Sequence, residues 1–394
     1  MALKRFDKSN STNYENNART KKLVKRIVLG VLITLLSLII LIVSTFMFIF
    51  YSPWTHETRD LYILMTYKTS NPWLCTWFFS QETIDEVFAQ NGSEIPDEPI
   101  DTSLITPTPA PNPDIDGETS SEEKPIEKPK KEFKTSEKYP CEVLYDDGEV
   151  QILEHVGINP IGGKYTARLI QIKDPSRVIL GLTKGVGGNG NPGTGETLTS
   201  MLATNDALCG INAGGFVDDG GVGSGGVPLG VIVKDGVYTK YTDEANHCII
   251  GFNKDSILVM GEFTEEQIKE QGIRDAISWR QPAMLILNGK NVEQYGLAGG
   301  YDPRSAIGQC ADGTVLMLVV DGVPRFGAST GANFAMMADI LSEFGAVNAA
   351  NLDGGTSSTM ALEGKVINVV CNPAIATRGR DLATCWLVKN ADEE

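Results

Sequence analysis

The stretch "NLDGGTSSTM", residues 351 to 360, places Asn351 and one carboxylate, Asp353, at the end of an apolar run. Gly354 and Gly355 follow, and then the hydroxyls of Ser357, Ser358 and Thr359. An ordinary hairpin needs no such set. Two glycines let the backbone approach a ligand closely with its N–H groups directed at it, and the hydroxyls add donors and acceptors. The chemistry that suits this strand end is the binding of an anionic or sugar ligand. Two other clusters can converge on it. "GINAGGFVDDGGVGSGG" ends an apolar run at Asn212, turns on Gly214 and Gly215 beside Phe216, and opens a glycine-rich loop at Asp218 and Asp219. "YDPRSAIG" sets Arg304 and Ser305 at the start of a strand, while Asp321 in "VVDGVPR" has the setting of a turn residue. The carboxylates and carbonyls around Asp218 and Asp219 make a divalent cation such as calcium a candidate ligand there.

A third glycine-rich stretch, "GNPGTGETL" at 190 to 198, imitates a nucleotide-binding loop but carries Glu196 where such a loop needs lysine. A carboxylate repels β and γ phosphates, and the preceding "KGVGGNG" is too long for a tight strand-loop-helix join. No nucleotide site is expected here. A flexible connection leading into a short helix, with Thr197 or Thr199 as its N-cap, fits better.

The elements that carry these clusters lie behind a membrane signal. Residues 27 to 51 hold no charge and are long enough to cross a bilayer as one helix. The basic residues ahead of them predict a cytoplasmic tail at 1–26 and an extracellular remainder. The expected order is then a juxtamembrane segment at 52–90, a disordered Pro-rich linker at 91–140, and a folded domain at 141–394. The tail is net +6 and the chain −16, which leaves −22 beyond the tail. Such an acidic exterior argues against nucleic acid as a partner, because polyphosphate binding needs clustered lysine and arginine.

The seven cysteines show no CxxC spacing, and their odd number leaves at least one thiol unpaired within the chain. Cys209, Cys248, Cys310 and Cys385 fall in apolar, strand-like runs and are read as small core residues. With only His56, His155 and His247 present, neither Cys/His catalysis nor a histidine-rich zinc site has support.

The exterior domain alternates short β-like runs with Asp235-Gly236, Asn288-Gly289 and Asp312-Gly313, dipeptides that favour hairpins. Helical period appears near "TLTSMLAT", in "TEEQIKEQGI" and in "GANFAMMADILSEFGAV", where Gly345 is the stop. The fold class expected is α+β: a strand-rich mixed-sheet domain with a few packed helices, preceded by one transmembrane helix.

In order along the chain, "INAGGF", "PRSAIG", "LVVDG" and "NLDGGTSSTM", with the arginine-bearing "RGRDLATCWLV" near the end, resemble the phosphodiester glycosidase domain family. The resemblance covers roughly residues 150 to 390. Many bacterial members are membrane-anchored and exopolysaccharide-related, which implies a sugar phosphodiester or envelope polysaccharide as partner. It implies cleavage of a sugar-1-phosphodiester at the sugar C–O bond, giving free sugar and a phosphomonoester. As the bond breaks the phosphate gains charge and the sugar becomes oxocarbenium-like, so the site needs cations at the phosphate and a carboxylate near C1. Carried onto this chain, the resemblance gives Arg304, assisted by Arg380, the phosphate. Asp353 becomes nucleophile or water-activating base, with Asp321 as the second candidate. Asn212 and the backbone of Gly214, Gly215 and Phe216 would orient the sugar, and Ser357, Ser358 and Thr359 would bind its hydroxyl or phosphate oxygens. Three positions depart from the pattern: Gly215 stands where an aromatic is common, Thr356 where glycine is common, and Arg380 precedes Asp381 instead of proline, with Arg378 equally available. A non-catalytic envelope carbohydrate-binding or assembly protein with the same fold is the alternative reading.

Overall fold

The structure, a computed structural model, describes residues 3–67, 73–91, 98–107, 131–160, 162–184, 186, 193–218, 223–243, 247–280, 284–292, 300–322 and 329–391. It divides into two compact units, Met1–Ile63 and Leu64–Glu394. In the first, one helix runs Leu3–Tyr51 and carries the apolar run on toward the N-terminus through the basic tail. Its segment Arg19–Tyr51 is long and apolar enough to cross a membrane, and its most apolar 18-residue stretch has a mean hydropathy of 3.1 and no buried residue.

The second unit is built on three antiparallel sheets. The largest has eight strands in the order Glu142–Asp146, Val150–Ile158, Lys164–Ile172, Val315–Asp321, Arg304–Cys310, Ala346–Asn351, Met284–Leu287 and Lys290–Asn291. A five-stranded sheet orders Val237–Lys240, Val231–Lys234, Ile273–Arg280, His247–Asn253 and Leu258–Gly261. A second five-stranded sheet orders Lys365–Val366, Met360–Leu362, Ala207–Asn212, Thr384–Lys389 and Val178–Leu182. The turns behave as their dipeptides predict. Asp235 and Gly236, and likewise Asn288 and Gly289, all take positive φ, which gives the twist that two-residue hairpins need.

The sheets share one core. Ile152 and Ile170 of the first, Ile250 and Ile277 of the second, and Ile211 and Trp386 of the third belong to a single buried cluster. Within it Phe252 and Trp386 meet edge to face, with ring centroids 5.4 Å apart. The other face of the eight-stranded sheet is covered by the helix Phe334–Glu343, which buries Phe334, Met337, Ile340 and Leu341 at three- and four-residue steps. Each such side chain contributes about 1.5–3 kcal/mol by leaving water. Asn333 caps the helix through Met336 N–H, and Gly345, at φ +88°, ends it.

Two parts of the expected linker are packed on the domain. Thr106 N–H donates to Ala311 O at 2.8 Å, Asp101 N–H donates to Asn288 Oδ1 at 2.8 Å, and Ile105 is buried. Farther on, Lys134 exchanges two hydrogen bonds with the amide of Gln171, and Tyr139 OH donates to Asp339. Ile100, Ile105 and Tyr139 are the apolar anchors that an average over a Pro- and Glu-rich segment conceals. The interior of that segment, 108–130, lies outside the described residues.

All seven cysteines are free thiols. Burial pushes the Cys209, Cys248 and Cys310 thiols up to about 12 and that of Cys385 well above its ordinary value, so none carries appreciable thiolate near neutrality. Aryl-disulfide titration of the folded chain at pH 8 is therefore expected to modify only the half-buried Cys141 and Cys371 readily. The remaining thiols should react only after denaturant is added, and fast native labelling of any of the four core thiols would contradict this packing.

Candidate active site at a convergence of strand ends

The three clusters do converge, and Asn212 joins them. Its strand, Ala207–Asn212, is fully buried, which puts an amide where every polar atom must find a partner. Asn212 Nδ2 donates to Asp353 O at 2.7 Å, and its Oδ1 accepts from Ser305 Oγ at 2.7 Å and from Thr359 N–H at 3.2 Å. One side chain thus ties the "INAGG", "PRS" and "DGGTSST" segments together. Its amide is engaged by protein groups, so Asn212 shapes the site by positioning Asp353 and Thr359. Asp353 is also held from its other side, by its N–H donating to Ala213 O at 3.1 Å.

Arg304 starts the strand Arg304–Cys310 and reaches the same turn. Its Nε donates to Ala332 O at 3.3 Å, and Nη2 donates to Gly300 O and to Asp302 Oδ2, both at 3.1 Å. The guanidinium stacks on Phe334, 4.6 Å from the ring centroid. Nη1 faces Gly354, 3.9 Å from where a Cβ at that position would stand. Such a Cβ would also lie 2.9 Å from Pro303 O, so glycine is what allows the DGG turn to sit against the arginine. Burial pulls the guanidinium below its ordinary value, with Asp302 opposing, and arginine remains a cation at neutral pH. The result is a positive group braced on one side and directed at the DGG turn on the other.

The turn itself adds polar atoms. Gly355–Ser357 forms a single 3-10 turn, with Gly355 N–H donating to Pro303 O at 2.9 Å. Ser357, Ser358 and Thr359 are all buried, as are Asn351 and Ser305. Among the described residues Asn351 Oδ1, Ser358 Oγ and Thr359 Oγ1 have no hydrogen-bond partner. Thr359 also packs under Gly379, which brings the C-terminal arginine loop to the same place.

The two late arginines divide. Arg380 Nη1 pairs with Asp218 Oδ2 at 3.1 Å, Nη2 donates to Gly223 O at 3.2 Å, and the guanidinium lies 4.5 Å from the centroid of Phe216. It braces the glycine-rich loop. Arg378 pairs with Asp381 at 2.8 Å and is half exposed. Asp218 has both oxygens engaged, since Oδ1 accepts from Gly223 N–H while Oδ2 meets Arg380. A cation taking Asp218 Oδ2 as a ligand would have to displace the arginine. Asp219 lies outside the described residues, and among those described no three His, Cys, Asp or Glu side chains cluster as metal ligands.

Asp321 has different surroundings from Asp353. At 2% exposure it pairs with Arg168 Nη1 at 2.6 Å and accepts from Asn368 Nδ2 and Val369 N–H, each at 3.1 Å. Arg168 in turn pairs with Glu154 at 2.6 Å. Burial pushes the Asp321 carboxyl up, while Arg168, Asn368 and Val369 pull it back. These partners come from residues far away in sequence and gave no local sign of themselves.

The described part of the 190–198 loop meets the site's border. Glu196 pairs main chain with Leu382, and its carboxylate accepts from Lys184 N–H at 2.8 Å and from Ser200 Oγ at 3.1 Å. Thr197 caps the helix Leu198–Thr204 through Ser200 N–H. Residues 187–192 lie outside the described residues.

Fold and site together define an antiparallel α+β domain with a cationic site at a convergence of strand ends. Residues 205–389 match the family model described as phosphodiester glycosidase, so the resemblance carried by the four motifs holds over that part of the chain. The catalytic domain of zebrafish N-acetylglucosamine-1-phosphodiester alpha-N-acetylglucosaminidase, solved in a form auto-inhibited by its pro-peptide, shares the fold. It aligns with a TM-score of 0.51 and 24% identity over 62% of this chain and 83% of that one. A curated relative, the SPbeta prophage-derived uncharacterized protein YomE of Bacillus subtilis (strain 168), is 32% identical over 190 residues. That match takes in 44% of this chain and spans 27% of the relative's length.

Proposed function

We propose that this protein is a membrane-anchored hydrolase that cleaves a sugar-1-phosphodiester into free sugar and a phosphomonoester. The observation that carries the reading is Arg304, braced through Nε and Nη2 and stacked on Phe334, with Nη1 directed at the turn that holds Asp353. A phosphate lying against that turn would receive a charge-assisted hydrogen bond that strengthens as the leaving group gains charge. Asp353, fixed through both its N–H and its C=O, serves as nucleophile or activates water at C1. Phosphate leaves as a stabilised anion, so no strong general acid is required.

The helix Arg19–Tyr51 is the proposed anchor. The basic residues that precede the apolar run support a cytoplasmic N-terminus and an extracellular domain acting on envelope glycan or exopolysaccharide.

The test uses the full chain in detergent with a panel of α-sugar-1-phosphodiesters that includes N-acetylglucosamine. Free sugar and phosphomonoester are assayed separately, with EDTA and with added calcium. Release of both products in equal amounts is expected. Arg304→Lys, which keeps the charge and loses the planar fork, should lower kcat/KM by about 10²-fold. Saturable binding without turnover would instead favour a carbohydrate-binding protein on this fold.

A further inference from the structure

Gly215 has no side chain because another ring occupies the space. A Cβ built there would lie 2.2 Å from Trp279 Cζ3 and 3.1 Å from Cη2, so the indole edge rests directly on the glycine backbone. The neighbouring Gly214 packs in the same way on Ile277, two residues before the tryptophan on the strand Ile273–Arg280. The segment 213–215 therefore lies across one face of that strand. Ile277 is buried in the shared core, whereas Trp279 is only partly buried against it.

A short stretch of backbone links this ring to the proposed reaction centre. Ala213 O accepts from Asp353 N–H at 3.1 Å, and Gly215 stands two residues farther along the same backbone. The main chain bends at Gly214 between these two positions. Gly214 N–H is bonded to Thr384 Oγ1 and Gly215 O accepts from Leu229 N–H, so the segment carrying the indole is itself fixed. A flat, amphipathic ring seated two residues along the backbone from the group that holds Asp353 suits the apolar face of a sugar, whose axial C–H groups pack on aromatic rings.

We propose that Trp279 is the aromatic platform on which the sugar of the substrate stacks, and that Gly215 is required because it seats this ring. The proposal rests on the phosphodiester glycosidase reading for the identity of the substrate. It concerns the sugar subsite alone.

The test uses the full chain in detergent and two readouts. One is steady-state hydrolysis of the best substrate of the panel. The other is isothermal titration calorimetry with N-acetylglucosamine 1-phosphate, glucose 1-phosphate and galactose 1-phosphate, which needs neither turnover nor a tryptophan signal. Trp279→Gly should raise KM and the dissociation constant by about tenfold, the size expected for a lost stacking contact, and change kcat much less. Trp279→Phe keeps a ring and should stay within about threefold of wild type. Gly215→Ala should weaken binding by displacing the indole, and Trp279→Gly combined with Gly215→Phe should recover part of the loss by restoring a ring nearby. Thermal unfolding of each variant identifies any that fail to fold, in which case the Phe and Ala variants decide. Wild-type KM and affinity in folded Trp279→Gly or Gly215→Ala would overturn the platform. If no substrate turns over but sugar phosphate binding still depends on Trp279, the platform stands and the hydrolase reading falls.

Discussion

Asp353→Asn is expected to lower kcat/KM by about 10³-fold while leaving the melting temperature within about 2 °C of wild type. The main chain of Asp353 is clamped by Ala213 O on one side and by the Asn212 amide on the other, and neither bond uses the carboxylate. An asparagine of the same shape can therefore keep the turn, yet it can act neither as nucleophile nor as base. Gly354 sits against Arg304, so in the proposed reaction both halves of the charge separation, oxocarbenium-like sugar and departing phosphate, would be met within one turn. Steady-state assay of sugar and phosphomonoester release, with thermal unfolding as the folding control, checks it. Activity above a tenth of wild type would remove Asp353 from the chemistry.

Asp321→Ala is expected to act on stability. The substitution leaves the Arg168 guanidinium buried with, among the described residues, only Glu154 as an ionic partner and also strips Asn368 Nδ2 and Val369 N–H of an acceptor. Breaking a buried pair in this way costs about 3–5 kcal/mol, which corresponds to a fall of roughly 6–20 °C in melting temperature for a domain of this size. Calorimetry or thermal circular dichroism of the full chain reads the effect. The informative comparison is with Asp353→Asn, because the two carboxylates are predicted to separate cleanly, one by rate and the other by unfolding. A folded Asp321→Ala protein with native melting temperature and no activity would transfer the catalytic role to Asp321.

Much of the local structure followed from local rules. The helix Phe334–Glu343 repeats apolar residues at its own period and stops at a glycine in the left-handed region, so its extent needed no knowledge of the rest of the fold. Asp235-Gly236 and Asn288-Gly289 made their hairpins for the same reason, since positive φ is a property of the dipeptide. The clustering of Asn212, Arg304 and Asp353 was legible as composition: glycine and polar groups at the ends of apolar runs. The docking of residues 98–107 and 131–140 was not, because a few anchors such as Ile105 and Tyr139 vanish in the average of an otherwise polar segment.

Sequence alone was enough for the residue types available to the site, the apolar run within the membrane-length helix and most turns, because each depends on neighbours a few positions away; the helix itself runs on through the basic tail to Leu3. Tertiary structure decided what each polar group does. It gave Arg380 to Asp218 and left Arg304 Nη1 directed at Gly354. It paired Asp321 with Arg168, and it laid Trp279 over Gly215. The physical reason is register: a side chain's partners across antiparallel sheets are set by which strands pair and at what offset, and pairings such as Val315–Asp321 with Lys164–Ile172 and Met360–Leu362 with Ala207–Asn212 join segments more than 50 residues apart.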